Sequence, residues 1–292
     1  MTTACVSRAP PRADLTLSRP PNRIAQQITG RTYLSHSQLS VMRACPRKFE
    51  AQYVQHLSPD FVPTSLLLGG SIHAALELYF RARLEGLGVT REALLSAYHD
   101  AWNRNHHQNG EIPVRFNKGE TREQLDALAD RIIGSFLSSP LAEPKGVILG
   151  VEEELRVVLD PDLPDVLAKV DLVTQTDGAV HVVDWKTSRS RWTPEKAQES
   201  GDQLVLYGVT VGGMSRALGL PVKLTFAIVT KARKPIVQLL PVPTSAQRVA
   251  AMKDRVAEVW SHIQSGNFYP SPSPMNCTSC PYRSSCPVFA GR

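Results

Sequence analysis

The sequence predicts a mixed α/β (α+β) protein in which helices come first and a mixed sheet with crossing helices follows. Three observations carry that expectation. The first half shows amphipathic helical spacing, the texture changes to β-branched segments bounded by Pro, Asp and Gly from Val147 onward, and an Asp177-Gly178 pair joins two of those segments. With 292 residues, the chain is long enough for one large domain or two small ones, and for a core that needs no disulfide framework.

In chain order, Met1 to Arg31 is interrupted by Pro10, Pro11, Pro20 and Pro21 and dotted with arginines, which predicts a disordered basic tail. The same Arg/Ser content also suits a mitochondrial presequence. Tyr33 to Leu57 predicts a helix capped by Ser35 or Ser37, and Leu66 to Leu84 a second one, opened by Gly69-Gly70-Ser71. Amphipathic stretches near Arg91–His107 and Arg122–Leu137 predict a helical insertion over about 85–145, split by a polar loop around Asn109–Gly119. Val147–Leu159, Leu167–Gln175 and Val180–Trp185 predict strands. Thr193-Pro194, a cap followed by proline at the first helical position, opens a helix to about Leu218. Val222–Thr230 and Ile236–Leu240 predict further strands, Ser245–Gln264 a helix, and 269–292 a Pro/Ser/Cys-rich tail.

Composition excludes some classes and leaves others open. No apolar run approaches the ~20 residues of a membrane span. The N-terminus has no signal-peptide core, so a cytoplasmic protein is expected. There is no G-x-x-x-x-G-K phosphate loop and no internal repeat. The 33 basic against 27 acidic residues, a formal charge of +6, suit a protein that meets a polyanion but do not decide it.

The chemistry concentrates in the segment from Lys169 to Lys186. Asp-Gly between β-rich runs predicts a two-residue hairpin turn. Asp171 and Asp184 lie equally far from that turn, so the register sets them opposite each other with Cβ atoms about 4.5–5.5 Å apart. Lys186, two residues beyond Asp184, projects from the same face, which otherwise carries Val173, Val180 and Val182. Like charges on an apolar face are destabilising unless a shared proton or a cation compensates. Hard divalent cations such as Mg²⁺ take such oxygen ligands together with substrate phosphate, and a nearby lysine can offset charge or orient water. The plain alternative is an exposed edge hairpin with a surface Lys–Asp cluster, and a bulge in either strand would shift the register.

A second constellation is cysteine. Cys277-x2-Cys280-x5-Cys286 closes the chain and Cys45 lies far upstream, with Cys5 in the predicted tail as a loose thiol. Three closely spaced thiols plus one distant one point to a [4Fe–4S] cluster ahead of structural zinc, whose ligands usually come in two close pairs. Cys45, Cys280 and Cys286 are each followed by proline, as is the last cysteine of ferredoxin-type runs. Either metal would staple the front of the chain to its back.

The ordered set resembles the PD-(D/E)XK nuclease superfamily, and within it the RecB-like exonuclease branch that carries an iron–sulfur staple, similar to CRISPR-adaptation exonucleases and AddB-type nuclease domains. Ser35…Cys45-Pro46-Arg47-Lys48-Phe49 looks like the branch's first cysteine segment, and Gly69-Gly70-Ser71-Ile72-His73 like its histidine motif. Ala168-Lys169-Val170-Asp171 and Val183-Asp184-Trp185-Lys186-Thr187 match the second and third motifs, and Gln203-Leu204-Val205-Leu206-Tyr207 the Q-x3-Y helix. The likeness spans about Tyr33 to Cys286. Val170 stands in place of the motif's proline and Ala168 where glycine is usual.

The resemblance implies a restriction-endonuclease-like sheet in one nuclease domain over 32–292, with the cluster held by 269–292 and Cys45. It implies metal ligation by His73, Asp171, Asp184 and the Trp185 carbonyl, with Glu152 as a further acid crowded by Glu153 and Glu154. Lys186 would be the catalytic lysine, and Gln203 and Tyr207 would shape the DNA site. Cys45, Cys277, Cys280 and Cys286 would hold the cluster. Outside the family, His73 would read as a helix cap, Gln203 and Tyr207 as packing, and Arg189 and Arg191 as a solvated loop that could also contact phosphates. Trp185 is expected to pack under the site. The implied activity is Mg²⁺- or Mn²⁺-dependent hydrolysis of DNA, single-stranded or with free ends, with a helicase or CRISPR-adaptation protein as partner and no membrane. The competing expectation is a non-catalytic DNA-end-binding iron–sulfur module of a larger complex.

Overall fold

The computed structural model describes residues 21–289 apart from 109 and 111. The elements run α1 (Arg23–Thr29), β1 (Tyr33–Ser35), α2 (His36–Ala44) and α3 (Pro46–Phe49), the last continuing through a π-helical turn over Glu50–Val54. Then come β2 (Val62–Pro63), α4 (Thr64–Leu84), α5 (Arg91–Gln108), β3 (Val114–Arg115) and α6 (Arg122–Leu137). The sheet follows with β4 (Val147–Val157), β5 (Asp165–Thr176) and β6 (Ala179–Ser188), then α7 (Pro194–Glu199), α8 (Asp202–Thr210) and α9 (Gly212–Leu218). β7 (Val222–Thr230), β8 (Val237–Val242), α10 (Ala246–Gln264) and α11 (Pro274–Cys277) complete the chain.

The mixed sheet is ordered β1-β5-β6-β7-β8, with β4 also on β5. β5 and β6 form the antiparallel hairpin, with Leu172 opposite Val183 and Thr176 opposite Ala179. The Asp177-Gly178 turn therefore sets the register expected from its position. β4 covers β5 from Val166 to Gln175 on one edge. The other edge is shared: β1 pairs in parallel with Asp165–Leu167, and β6 pairs only from Leu172 onward. A gap in the ladder is left on that edge between Leu167 and Leu172, at the level of Asp171.

Helices cover both faces. One core packs α8, α10 and α2 on the sheet through Leu204, Val205, Met252, Val256, Leu39 and Met42. The other packs α4, α5 and α6 on the opposite face, with Phe80 and Phe136 against Trp185. The helical insertion is thus one of the two layers that bury the sheet. Its helix α6 starts on a capping box, in which Thr121 accepts from the Gln124 N–H and Gln124 from the Thr121 N–H. Among the described residues no helix is long and apolar enough to cross a membrane.

Several elements differ from expectation. Arg23–Thr29, assigned to the tail, is a helix capped by Asn22, with Ala25 and Thr29 buried; residues 1–20 of that segment lie outside the described residues. The helix expected from Tyr33 starts at His36, because Tyr33–Ser35 joins the sheet, and Ser35 caps it through a capping box with Gln38. The 194–218 region is three helices. A Cβ on Gly201 would lie 2.7 Å from Val242 Cγ1, so the chain turns there against β8. Helix α4 begins at Thr64, ahead of Gly69-Gly70, which sit inside it.

Candidate active site

The site forms where the hairpin opens. Ladder pairing between β5 and β6 stops at Leu172–Val183. One residue further on, the Trp185 N–H donates to Asp171 Oδ2 at 2.7 Å, so a side chain takes the place of a strand carbonyl. With the ladder ended by that bond, the strands splay at the level of Asp171 and Asp184. Asp171 is 6% exposed and Asp184 fully buried. Trp185 lies under the site, its ring stacked on Phe80 at 5.4 Å and edge-on to Phe136.

Helix α4 brings in His73 from the opposite layer. Its Nε2–H donates to the Trp185 carbonyl at 3.1 Å, while Nδ1 lies 3.5 Å from Glu152 Oε1 and 3.6 Å from Asp171 Oδ2. Glu152 arrives from β4 with φ of 51°, a left-handed conformation rare for glutamate. In the ladder it falls between Val151 and Glu153, which pair with Leu172 and Val170, so it sits at the level of Asp171. Lys169 Nζ holds the other Glu152 oxygen at 2.8 Å. Among the described residues, His73, Glu152 and Asp171 form the only group of three such ligand atoms lying within 4.8 Å of one another.

Asp184 stands beside this group and does not enter it. Its Oδ2 lies 2.7 Å from Lys186 Nζ, and its Oδ1, fully buried, has no hydrogen-bond partner among the described residues. Burial and then the Asp184 charge push the Asp171 carboxyl up to about 7, and burial pushes Asp184 up against the pull of Lys186. Burial alone would lower the His73 imidazole, but the Glu152 hydrogen bond and the Asp171 charge outweigh it and raise the pKa. Glu152 is moved down, because its bonds to His73 and Lys169 outweigh burial.

This donor set fits a hard divalent cation. It offers carboxylate oxygens, a backbone carbonyl and an imidazole nitrogen, beside the buried Asp184, whose Oδ1 has no hydrogen-bond partner among the described residues. His73 Nδ1 faces two carboxylate oxygens, one from Glu152 and one from Asp171, whose charge a cation would balance.

Helix α8 adds Gln203 and Tyr207. Gln203 Nε2 donates to Tyr207 Oη at 2.6 Å, and Tyr207 is buried. Burial and the Asp184 charge both raise the Tyr207 pKa, so the phenol stays protonated beside the acids. Two residues without a predicted role also border the site. Lys169 holds Glu152, a pairing its place two residues before Asp171 on the same strand face could have suggested. His36, at the start of α2, is lowered to about 4 by burial and then by the Lys186 charge; nothing in the sequence pattern singles it out.

The cysteines form a separate centre. Cys45, Cys277, Cys280 and Cys286 line one cavity as half-buried free thiols. The closing segment is tied to the front of the chain: Arg47 N–H donates to Tyr269 O at 3.1 Å, and Asn276 Nδ2 to Ala44 O at 2.7 Å.

A mixed sheet that presents clustered acids and a lysine at a splayed hairpin defines a metal-dependent phosphodiesterase class of site. The chain matches the PD-(D/E)XK nuclease superfamily over residues 33–287 and belongs to it. Among solved structures, the crystal structure of "Putative exonuclease" from Eubacterium rectale shares the fold. Its TM-score is 0.52 at 14% identity, covering 91% of this chain and 88% of that one. A second, SSO0001, aligns with a TM-score of 0.34 and 12% identity over 79% and 87% of the two chains. No curated protein matches the chain.

Proposed function

We propose that the protein is a Mg²⁺- or Mn²⁺-dependent deoxyribonuclease of the RecB-like branch, acting as an exonuclease on DNA that is single-stranded or has free ends. The observation that carries this reading is the convergence of His73, Glu152, Asp171 and the Trp185 carbonyl beside a buried Asp184–Lys186 pair. A divalent cation held there supplies Lewis-acid polarisation of the phosphate and lowers the pKa of adjacent water. Lys186 sits at the mouth of the site, where its ammonium can orient the attacking water and offset charge developing on phosphorus. Gln203 and the protonated Tyr207 wall the acids on the α8 side. Exonuclease is also the activity named for the Eubacterium rectale protein of the same fold.

The four thiols are proposed to hold a structural [4Fe–4S] cluster, supported by their shared cavity; structural zinc is the alternative. DNA repair, recombination or CRISPR adaptation in the cytoplasm is the proposed setting, with a helicase or CRISPR-adaptation protein as partner. The test compares wild type and Asp184→Ala on end-labelled single-stranded DNA with and without Mn²⁺. Mn²⁺-dependent cleavage lost in the variant supports the reading. Equal absence of cleavage in both proteins rejects it in favour of a DNA-end-binding module.

A further inference from the structure

A cleft of about 540 Å³ lies beside the site and contains none of the candidate metal or cluster ligands. Four separate segments build it: the β2–β3 pair with Phe61 and Arg115, the start of α4, the loop after β6 with Arg189, and the cysteine segment with Met275. Arg189 lies three residues past Lys186, about 10 Å along an extended strand. Ser65 lies eight residues before His73, about 12 Å along α4. Both routes place the cleft within a few nucleotides of a phosphate at the metal site.

Its chemistry is cationic and flat. The Arg115 guanidinium lies 4.5 Å from the Phe61 ring centroid, giving a planar cation–aromatic platform. Met275, 90% exposed, lines the same cleft. Neither Arg115 nor Arg189 forms an ion pair among the described residues. Lys231 lies close to Arg189: its backbone N–H donates to Ser188 O at 2.6 Å, and burial and then the Arg189 charge lower its amine pKa. The nearby acid, Glu120, is already engaged by Thr64 Oγ1 and by the Asn117 N–H and Nδ2.

We infer that this cleft is a subsite for single-stranded DNA, in which an unpaired base stacks on the Arg115–Phe61 platform against Met275 while Arg189 meets the flanking phosphate. The platform selects a single strand, because it offers a stacking face that bases inside a duplex already use on each other. The inference rests on the nuclease reading and names which part of the substrate is gripped next to the cut.

The test is fluorescence anisotropy of labelled oligothymidylate with the full chain and no added divalent metal, so that binding is read without cleavage. A length-matched duplex and oligouridylate run in parallel. Phe61→Ala and Met275→Glu should each weaken single-strand binding about tenfold. Arg115→Ala should weaken it likewise, and Arg189→Ala should flatten the salt dependence by close to one phosphate contact, whereas Phe61→Ala leaves that slope unchanged. Hydrolysis of bis(p-nitrophenyl) phosphate with Mn²⁺, a substrate too small to span both places, should be unaffected by all four changes. Met275→Glu guards against misfolding, since that side chain lies at the surface. Unchanged single-strand affinity in Phe61→Ala and Met275→Glu overturns the subsite, as does an equal loss on duplex or selective loss on RNA. Failure of wild type to hydrolyse the small ester bears on the nuclease reading alone, because the anisotropy is read without catalysis.

Discussion

Asp171 accepts the backbone N–H of Trp185 at 2.7 Å, one step beyond the last ladder pair of the β5–β6 hairpin. This contact turns a strand pair into a site. It ends the ladder, holds the carboxylate in place, and leaves the Trp185 carbonyl facing His73. The result is a cluster of acids whose charge the fold itself does not fully balance.

The first consequence concerns pH. Asp171 is raised to about 7 by burial and the Asp184 charge, so between about pH 4 and 7 the native state holds a proton that the unfolded chain has lost. Metal-free stability should therefore fall as pH rises through that window. Asp171→Asn, which keeps an oxygen for the Trp185 N–H, should raise metal-free stability at pH 8 by about 1–3 kcal/mol. Urea melts at pH 5 and pH 8 check this, and a wild type more stable at pH 8 would contradict it.

Lys186 is the close cation of the fully buried Asp184. Lys186→Met should abolish cleavage and lower metal-free stability by about 1–3 kcal/mol, less than for a wholly buried pair because the ammonium is partly solvated. Paired chemical denaturation and cleavage assays read both effects, and unaltered cleavage would exclude a catalytic lysine.

Beneath the site, Phe80 is fully buried and stacks on Trp185. Phe80→Ala should cost about 3–5 kcal/mol. Loosening Trp185 should also weaken Mn²⁺ binding, although Phe80 touches no ligand atom. Calorimetry on a sample confirmed folded by circular dichroism separates the two effects.

The cysteine centre predicts a colour. Protein purified without oxygen should be brown, with iron and sulfide in equal amounts, and Cys280→Ser should bleach it and destabilise the chain. A colourless protein with one zinc would assign the thiols to zinc.

How much of this was legible in the sequence depended on local signals. Asp177-Gly178 sets the hairpin register, and no bulge intervenes in β5 or β6, so the level of Asp171 and Asp184 could be read in advance. The splay at that level could not, because the Trp185 N–H bond to the Asp171 side chain replaces a ladder pair there, and the strand that takes the edge of β5 beyond it comes from a distant part of the chain. Glu152 was one of three adjacent glutamates, and its backbone turn to φ 51° brings its carboxylate to His73. The break of the 194–218 helix at Gly201 follows from contact with Val242, forty residues on in a separate element. β2 and β3, two residues each, carry too little periodicity to be seen, yet they frame the cleft that holds Arg115.

Titration of the purified full chain with Mn²⁺ by isothermal calorimetry tests the account most directly. Wild type should bind Mn²⁺ at this site with an affinity that rises with pH as Asp171 loses its proton. Asp171→Asn and His73→Ala should each weaken that binding at least tenfold. Affinity that is the same in all three proteins, or absent in wild type, would contradict a metal site at the splayed hairpin.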